Sequence, residues 1–198
     1  YSSSAASDVY KRQRYESVTA EAEQVAAGSN GLVFLPYLNG ERTPHADPNA
    51  RGSFVGMNLT HTRGHMTRSV MEGITFALRD SLEIIDSLGV PVRQVRASGG
   101  GSTNPMWRQM QADVFGKKIT TLEVEQGPAY GVALLAAVGD GAYRSIESAC
   151  KATIAVAEET APDRAAKKNY DRLFPIYREL YVQLKDSMAA LSEYQAGA

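Results

Sequence analysis

"RASGGGSTNPMWRQM", residues 96–110, decides the fold of this chain. The alternating run "VRQVRAS" (92–98) reads as a strand, and three glycines follow it. "NPMWRQMQADVFG" (104–116) then reads as a helix, with Asn104 as cap, Pro105 in the first turn and Gly116 as stop. Glycine at a strand-to-helix turn lets backbone come close to a ligand, and a helix start leaves N–H groups free for an anion or a polar ring. The turn lacks the Lys-Ser/Thr of a phosphate-cradling P-loop. It also places Asn104 where a dinucleotide fingerprint needs glycine. Taken alone, the glycines fit tight packing as well as they fit a ligand. Asn104 tilts the balance, because an amide carries a donor and an acceptor and so suits the edge of a purine.

Outward from this turn, strands and helices alternate. On the N-terminal side, residues 14–27 are Ala- and Glu-rich and helix-compatible, closed by Gly28. "GLVFLPYL" (31–38) and "GSFVGMNL" (52–59) read as strands, separated by a turn-rich loop, 39–52. The spacing predicts a helix over 63–88 capped by Thr62, with Met66, Val70, Ile74, Leu78, Leu82 and Ile85 on its apolar side. On the C-terminal side, 117–124 reads as a strand and 127–141 as a small-residue helix. From 162 to 194 the pattern is helical, interrupted at Pro175, with Tyr170, Phe174, Ile176, Leu180 and Leu184 on one side. This order predicts an α/β layer whose later strands pair in parallel through right-handed crossovers.

Bulk composition narrows the function. With 198 residues and 43% apolar content the chain can bury a proper core. A net charge of −1 points away from nucleic acid and from an acidic membrane surface, and no apolar run approaches the ~20 residues of a membrane span. The single Cys150 rules out an internal disulfide framework and fits a reducing, cytoplasmic setting. It is expected to be a small core residue on a helix, since no His lies near it in sequence. Residues 1–13 begin without Met and carry no signal-peptide core, and Asp8–Gln13 resembles one reading frame of a sequencing-library adapter. They are set aside as a non-native or disordered segment, with the native chain expected to start earlier.

Three separated stretches carry a family resemblance. These are residues 31–80, containing "LPYLNGERTPH", then "ASGGGSTNPMWRQMQADVFG" (97–116), then "EQGPAYGVALLAAVG" (125–139). In this order they resemble the C-terminal region of the FGGY carbohydrate kinases, most of all those members that act on D-xylulose. The resemblance implies an actin-like ATPase (ribonuclease H-like) α/β domain over residues 14–198, truncated on its N-terminal side. It implies that Gly99, Gly100, Gly101, Ser102 and Asn104 contact the adenosine part of ATP. The implied activity is transfer of the γ-phosphoryl group of ATP to a sugar, D-xylulose going to D-xylulose 5-phosphate, with Mg²⁺ as cofactor. ATP and a small sugar are then the partners, with a homodimer of the full-length protein compatible with the resemblance.

Phosphoryl transfer needs a phosphate cradle, a held Mg²⁺ and a base for the acceptor hydroxyl. The family's phosphate motifs and catalytic Asp lie upstream of the stretch matched here. Asp47, Asp80, Asp113 and Asp140 do not fall at the position of that Asp. No catalytic residue and no metal ligand is therefore assigned in this chain, and the chain alone is expected to be inactive.

Other residues keep two explanations each. Arg42 and His45, in the "GERTPH" loop, suit phosphate contact or loop bracing through Glu41 or Asp47. His61 and His65 suit capping or surface roles, and Glu72 suits close packing beside Gly73. Arg108 suits a solvated helix face, Trp107 the core more than a stack on adenine, and Glu123 with Glu125 a solvent-facing strand end. Two other functions compete: a kinase for another pentulose or polyol, and a non-catalytic actin-like nucleotide-binding domain. A dinucleotide-dependent oxidoreductase is disfavoured by the glycine spacing.

Overall fold

The computed structural model describes residues 16–99, 102–123 and 127–197. The segment 1–13, Gly100, Gly101 and Glu125 lie outside the described residues. The chain divides into two compact units, one of the described residues up to Pro91 together with 164–197, the other Val92–Asp163.

The first unit is a hairpin packed on helices. Helix α1 (16–23) leads through a short 3-10 turn, Ser29–Gly31, into β1 (Val33–Leu35). Strand β2 (Ser53–Val55) pairs with β1 antiparallel, Phe34 opposite Phe54. Both strands are shorter than the apolar runs suggest. Pro36 cannot donate a ladder hydrogen bond, and beyond it Tyr37 turns into the core while Leu38 is exposed. All three β1 residues are buried, as expected of a strand covered on both faces.

Helix α2 (Arg63–Ser87) starts at Thr62, whose N–H is accepted by His65 Nδ1 at 3.2 Å. This gives His65 the partner's role in a capping box, in place of the usual Glu or Gln. The buried face of α2 differs from the expected stripe. Ser69, Glu72, Gly73, Phe76 and Asp80 face inward, whereas Leu78 is 47% exposed and Met66 and Ile85 are also exposed. Gly73 explains the rotation. A Cβ there would collide with the Phe34 carbonyl oxygen, so only glycine lets the helix backbone rest on β1, and that contact fixes which face looks in.

Helix α6 (Arg164–Ala196) runs without a break through Pro175. The proline removes one helical N–H bond, and the burial of Phe174 and Tyr177 on either side of it holds the helix in register. Tyr177, rather than the expected Ile176, belongs to the inward row with Tyr170, Phe174 and Met188; Ile176 is 54% exposed.

A buried carboxylate ties this unit together. Gly28, Ser29, Asn30 and Gly31 all have left-handed backbone, with φ of 89°, 47°, 52° and 82°. Glu72, 1% exposed, accepts from Gly28 N and Ser29 Oγ at 2.8 Å each, and from Arg68 Nε and Tyr170 Oη at 2.9 Å each. The loop, α2 and α6 thus converge on one side chain. Its role is structural, as expected from the neighbouring glycine.

A second buried acid lacks such support. Asp80 is 3% exposed, its Oδ1 lies 3.3 Å from Arg178 Nε, and its Oδ2 has no hydrogen-bond partner. Burial pushes its pKa up to about 6, against the opposing pull of Arg178 and Arg79, with Glu83 and Glu41 adding to the rise. A carboxyl group raised in the folded state binds more protons there than in the unfolded chain between about pH 4 and pH 6, so its contribution to stability falls as pH rises through that window. We expect Asp80→Asn to be more stable than the parent at pH 7, by on the order of 1–3 kcal/mol, with the advantage vanishing near pH 4. Thermal melts of both proteins between pH 4 and pH 8 measure this. An advantage that grows as pH falls would overturn it.

Among its described residues the second unit has a three-stranded sheet of order β3-β4-β5 and three helices. Strand β3 (Val95–Arg96) pairs in parallel with β4 (Ile119–Leu122), and β4 pairs antiparallel with β5 (Val156–Thr160). Helix α3 (Pro105–Phe115) supplies the crossover between β3 and β4, as expected. Helix α4 (Gly127–Gly139) is followed by α5 (Ile146–Thr153), which Ser145 caps. Strand β5 was not anticipated, and α5 was foreseen only as a helix around Cys150; the antiparallel β4–β5 pairing corrects the expectation that the later strands pair in parallel. "VAEET" is acid-rich and mostly exposed, the composition of an edge strand with charges facing water.

Candidate functional site

The second unit contains a cavity of about 670 Å³, within the ~300–1,000 Å³ range of small-molecule sites. Ala97, Ser98 and Gly99, which follow β3, form one wall, with Leu122 at the end of β4. The cavity therefore opens beyond the carboxyl ends of the parallel pair, where α/β sheets place their ligands. Gly127, Tyr130, Gly131, Leu134 and Leu135 of α4 form a second wall, and Ile146, Cys150 and Thr153 of α5 a third. The two helices are pinned to each other by Tyr130 Oη, which donates to the Thr153 carbonyl at 3.3 Å.

Chemistry limits what this space accepts. Among the described residues lining it there is no Asp, Glu, Lys, Arg or His. A triphosphate would find no counter-charge there, while a flat uncharged heterocycle would find apolar walls and a few polar groups. The glycines sharpen this. A Cβ placed on Gly99, Gly127 or Gly131 would meet nothing within 4 Å. Among the described residues nothing demands glycine for lack of room at these three positions, in contrast to Gly73, so they border open space that a ligand can fill.

The sequence-predicted residues divide around this cavity. Gly99 lines it with φ of +76°. Gly100 and Gly101 lie outside the described residues. Ser102 is 3% exposed and closes the turn, its N and Oγ both donating to the Gly99 carbonyl, at 2.9 and 2.8 Å. Asn104 caps α3, its Oδ1 accepting from Trp107 N at 3.2 Å. Ser102 and Asn104 do not line the cavity, and each has an oxygen bonded within the fold. Trp107 is half-buried and not on the cavity wall. Cys150 is half-buried on α5 and faces the cavity, so it is not the core residue expected.

Reading the sequence missed α4 and α5 as walls. The available signal was Gly127 and Gly131, one helical turn apart in a helix that pays for each glycine in stability.

The "GERTPH" loop belongs to the first unit. His45 stacks on Tyr181 with ring centroids 3.5 Å apart, and its Nε2 lies 3.3 Å from Tyr37 Oη. Burial pushes the His45 pKa down and the Tyr37 pKa up to about 12, so both are neutral at pH 7. Asp47 accepts from Asn49 N at 2.8 Å and from Tyr181 Oη at 2.9 Å. The loop is braced by His45 and Asp47. Arg42 is exposed and forms no ion pair among the described residues. His61 accepts from Asn58 N at 3.0 Å, a surface role as expected.

Among the described residues no group of three His, Cys, Asp or Glu side chains could hold a metal ion, and no helix is long and apolar enough to cross a membrane.

Known proteins resemble this chain in sequence and fold. Residues 2–139 match the C-terminal domain of the FGGY family of carbohydrate kinases. A xylulose kinase of Bacillus subtilis is 42% identical over 183 residues, 92% of this chain and 37% of that protein. The structure of a ligand-bound xylulose kinase from Lactobacillus acidophilus superposes with a TM-score of 0.82 at 31% identity, covering 89% of this chain and 36% of that one. A gluconate kinase structure from Lactobacillus acidophilus fits equally well, TM-score 0.82 at 32% identity over 89% of this chain and 36% of that one. The chain thus spans little more than a third of the length of the relatives it matches. Their shared fold, and a sequence match that takes in the glycine turn and the small-residue helix bounding the cavity, place the chain in the FGGY family of carbohydrate kinases, on its C-terminal domain.

Proposed function

We propose that this chain is the C-terminal part of a longer sugar kinase and forms the adenosine side of its ATP site. One observation carries the assignment: a cavity at the carboxyl ends of β3 and β4 with no charged side chain among the described residues that line it, bordered by three glycines with empty space before them. Adenine and ribose fit such walls. The triphosphate does not, so it and Mg²⁺ are held elsewhere in the longer protein, by residues outside this chain's described part. The α4 glycines keep the pocket open, and Gly99 brings backbone up to the nucleotide. Asn104 stands off the cavity wall at the start of α3; with its Oδ1 engaged in the cap, its proposed contact is through the amide Nδ2–H to a part of the nucleotide that extends past Gly99. Bound ATP supplies the phosphoryl group, and this chain's part is to orient the adenosine end.

D-Xylulose is the proposed acceptor, on the strength of the relatives named xylulose kinase. The equal fit of a gluconate kinase supports a second acceptor class, sugar acids and other polyols. The test is ADP formation by the full-length protein with Mg²⁺-ATP and a panel containing D-xylulose and gluconate. We expect ADP formation well above the sugar-free rate with D-xylulose. No increase with any pentulose, sugar acid or polyol would exclude a sugar kinase. In the same assay Asn104→Asp, which keeps the capping oxygen but loses the amide donor, should raise the KM for ATP and leave that for sugar unchanged.

A further inference from the structure

We propose that Arg108 is a positioning residue for the nucleotide, acting through Ser102 and Gly99 rather than on the ligand. The proposal rests on the assignment of the cavity to adenosine.

Arg108 lies in the first turn of α3 and reaches back over it. Its Nη1 donates to the Ser102 carbonyl at 2.6 Å, and its Nη2 pairs with Glu158 on β5. The side chain is only 12% exposed, and Nε is buried without a hydrogen-bond partner. Keeping a guanidinium largely out of water with one N–H unpaired is costly. An ion pair with an exposed carboxylate is weak compensation, and Glu158 is 62% exposed. The charge-assisted bond to the Ser102 carbonyl is the stronger contact, and it is the one that acts on the turn.

The consequence follows from what Ser102 already does. Its N and Oγ close the turn onto the Gly99 carbonyl, and Arg108 fixes its carbonyl. Ser102 is thus tied at three atoms, two toward Gly99 and one toward the sheet through Glu158. Glycine has more conformational freedom to lose than any other residue, and Gly99 lines the cavity. Holding Gly99 in place beforehand spares the ligand that cost, which appears as tighter binding. Arg108 therefore governs how well the wall at Gly99 is formed before adenosine arrives.

The experiment compares wild type, Arg108→Ala, Arg108→Lys and Glu158→Gln in the full-length kinase, measuring KM for ATP, KM for sugar, kcat and thermal melting. We expect Arg108→Ala to raise the KM for ATP about tenfold, with kcat and sugar KM little changed. Lysine keeps the charge but cannot span Ser102 and Glu158 together, so its KM should fall between the two; it also stands in if the alanine variant does not fold. Glu158→Gln should shift the same constant by at most about twofold. An active wild type whose ATP KM is unmoved by both Arg108 changes overturns the proposal and leaves the adenosine assignment standing. Equal losses in kcat and both KM values, with a lowered melting temperature, show a purely structural role and also overturn it. A wild type that neither consumes nor binds ATP removes the assignment and the proposal together.

Discussion

Replacing Gly131 by leucine in the full-length kinase is expected to raise the KM for ATP at least about tenfold while leaving the protein as stable as before or more so. The two halves of this result have separate causes. Gly131 sits inside α4, where leucine is favoured over glycine by roughly 1 kcal/mol of intrinsic helix propensity. A Cβ at this position meets no atom within 4 Å, so folding meets no clash. The same open space belongs to the cavity, and a leucine side chain would take up part of it. Alanine, adding one carbon, should change the ATP KM little and serves as the control. Sugar KM should be unaffected by either change. Steady-state kinetics with a melting curve decide it. A leucine variant with normal ATP KM would show that nucleotide does not enter this cavity.

Gly131 also shows where the sequence was legible and where it was not. The strand–turn–helix around Gly99 could be read from local rules, because capping by Asn104, a first-turn proline and a left-handed Gly116 are all local features. The long helices were legible for the same reason, as periodicity survives over 25 residues in α2. Their inward faces were not. In α2 the buried side carries Ser69, Glu72 and Asp80, and the apolar stripe lies elsewhere, because a single close contact between Gly73 and Phe34 sets the rotation. Hydrophobic counting has no access to such a contact. Strand β5 stayed hidden because an exposed, acidic edge strand resembles a loop in composition. The cavity was half legible: its turn announced itself, while the walls from α4 and α5 needed the tertiary structure to bring them opposite Gly99.

Glu72 gives the second large effect, and this one falls on stability. Glu72→Ala should destabilise the protein by about 3–5 kcal/mol, the usual cost of removing one partner from a buried ion pair. Arg68 would keep its bonds to the Val25 carbonyl (2.8 Å) and Tyr170 Oη (3.0 Å), but its charge would be left without a counter-ion. Gly28 N and Ser29 Oγ would lose their acceptor at the same time, and these two bonds hold a turn of four left-handed residues. Left-handed backbone at Ser29 and Asn30 is unfavourable for residues with a side chain, so the turn should relax once the carboxylate is gone. Glu72→Gln keeps the shape and the acceptor for Gly28 N while removing the charge, and its loss should be clearly smaller. Hydrogen exchange gives a reading that global melting does not: protection of the Gly28 amide should collapse in the alanine variant and survive in part in the glutamine variant. Should the Gly28 amide stay protected in both, with melting temperatures near wild type, the four bonds to Glu72 would not be what holds the loop, α2 and α6 together.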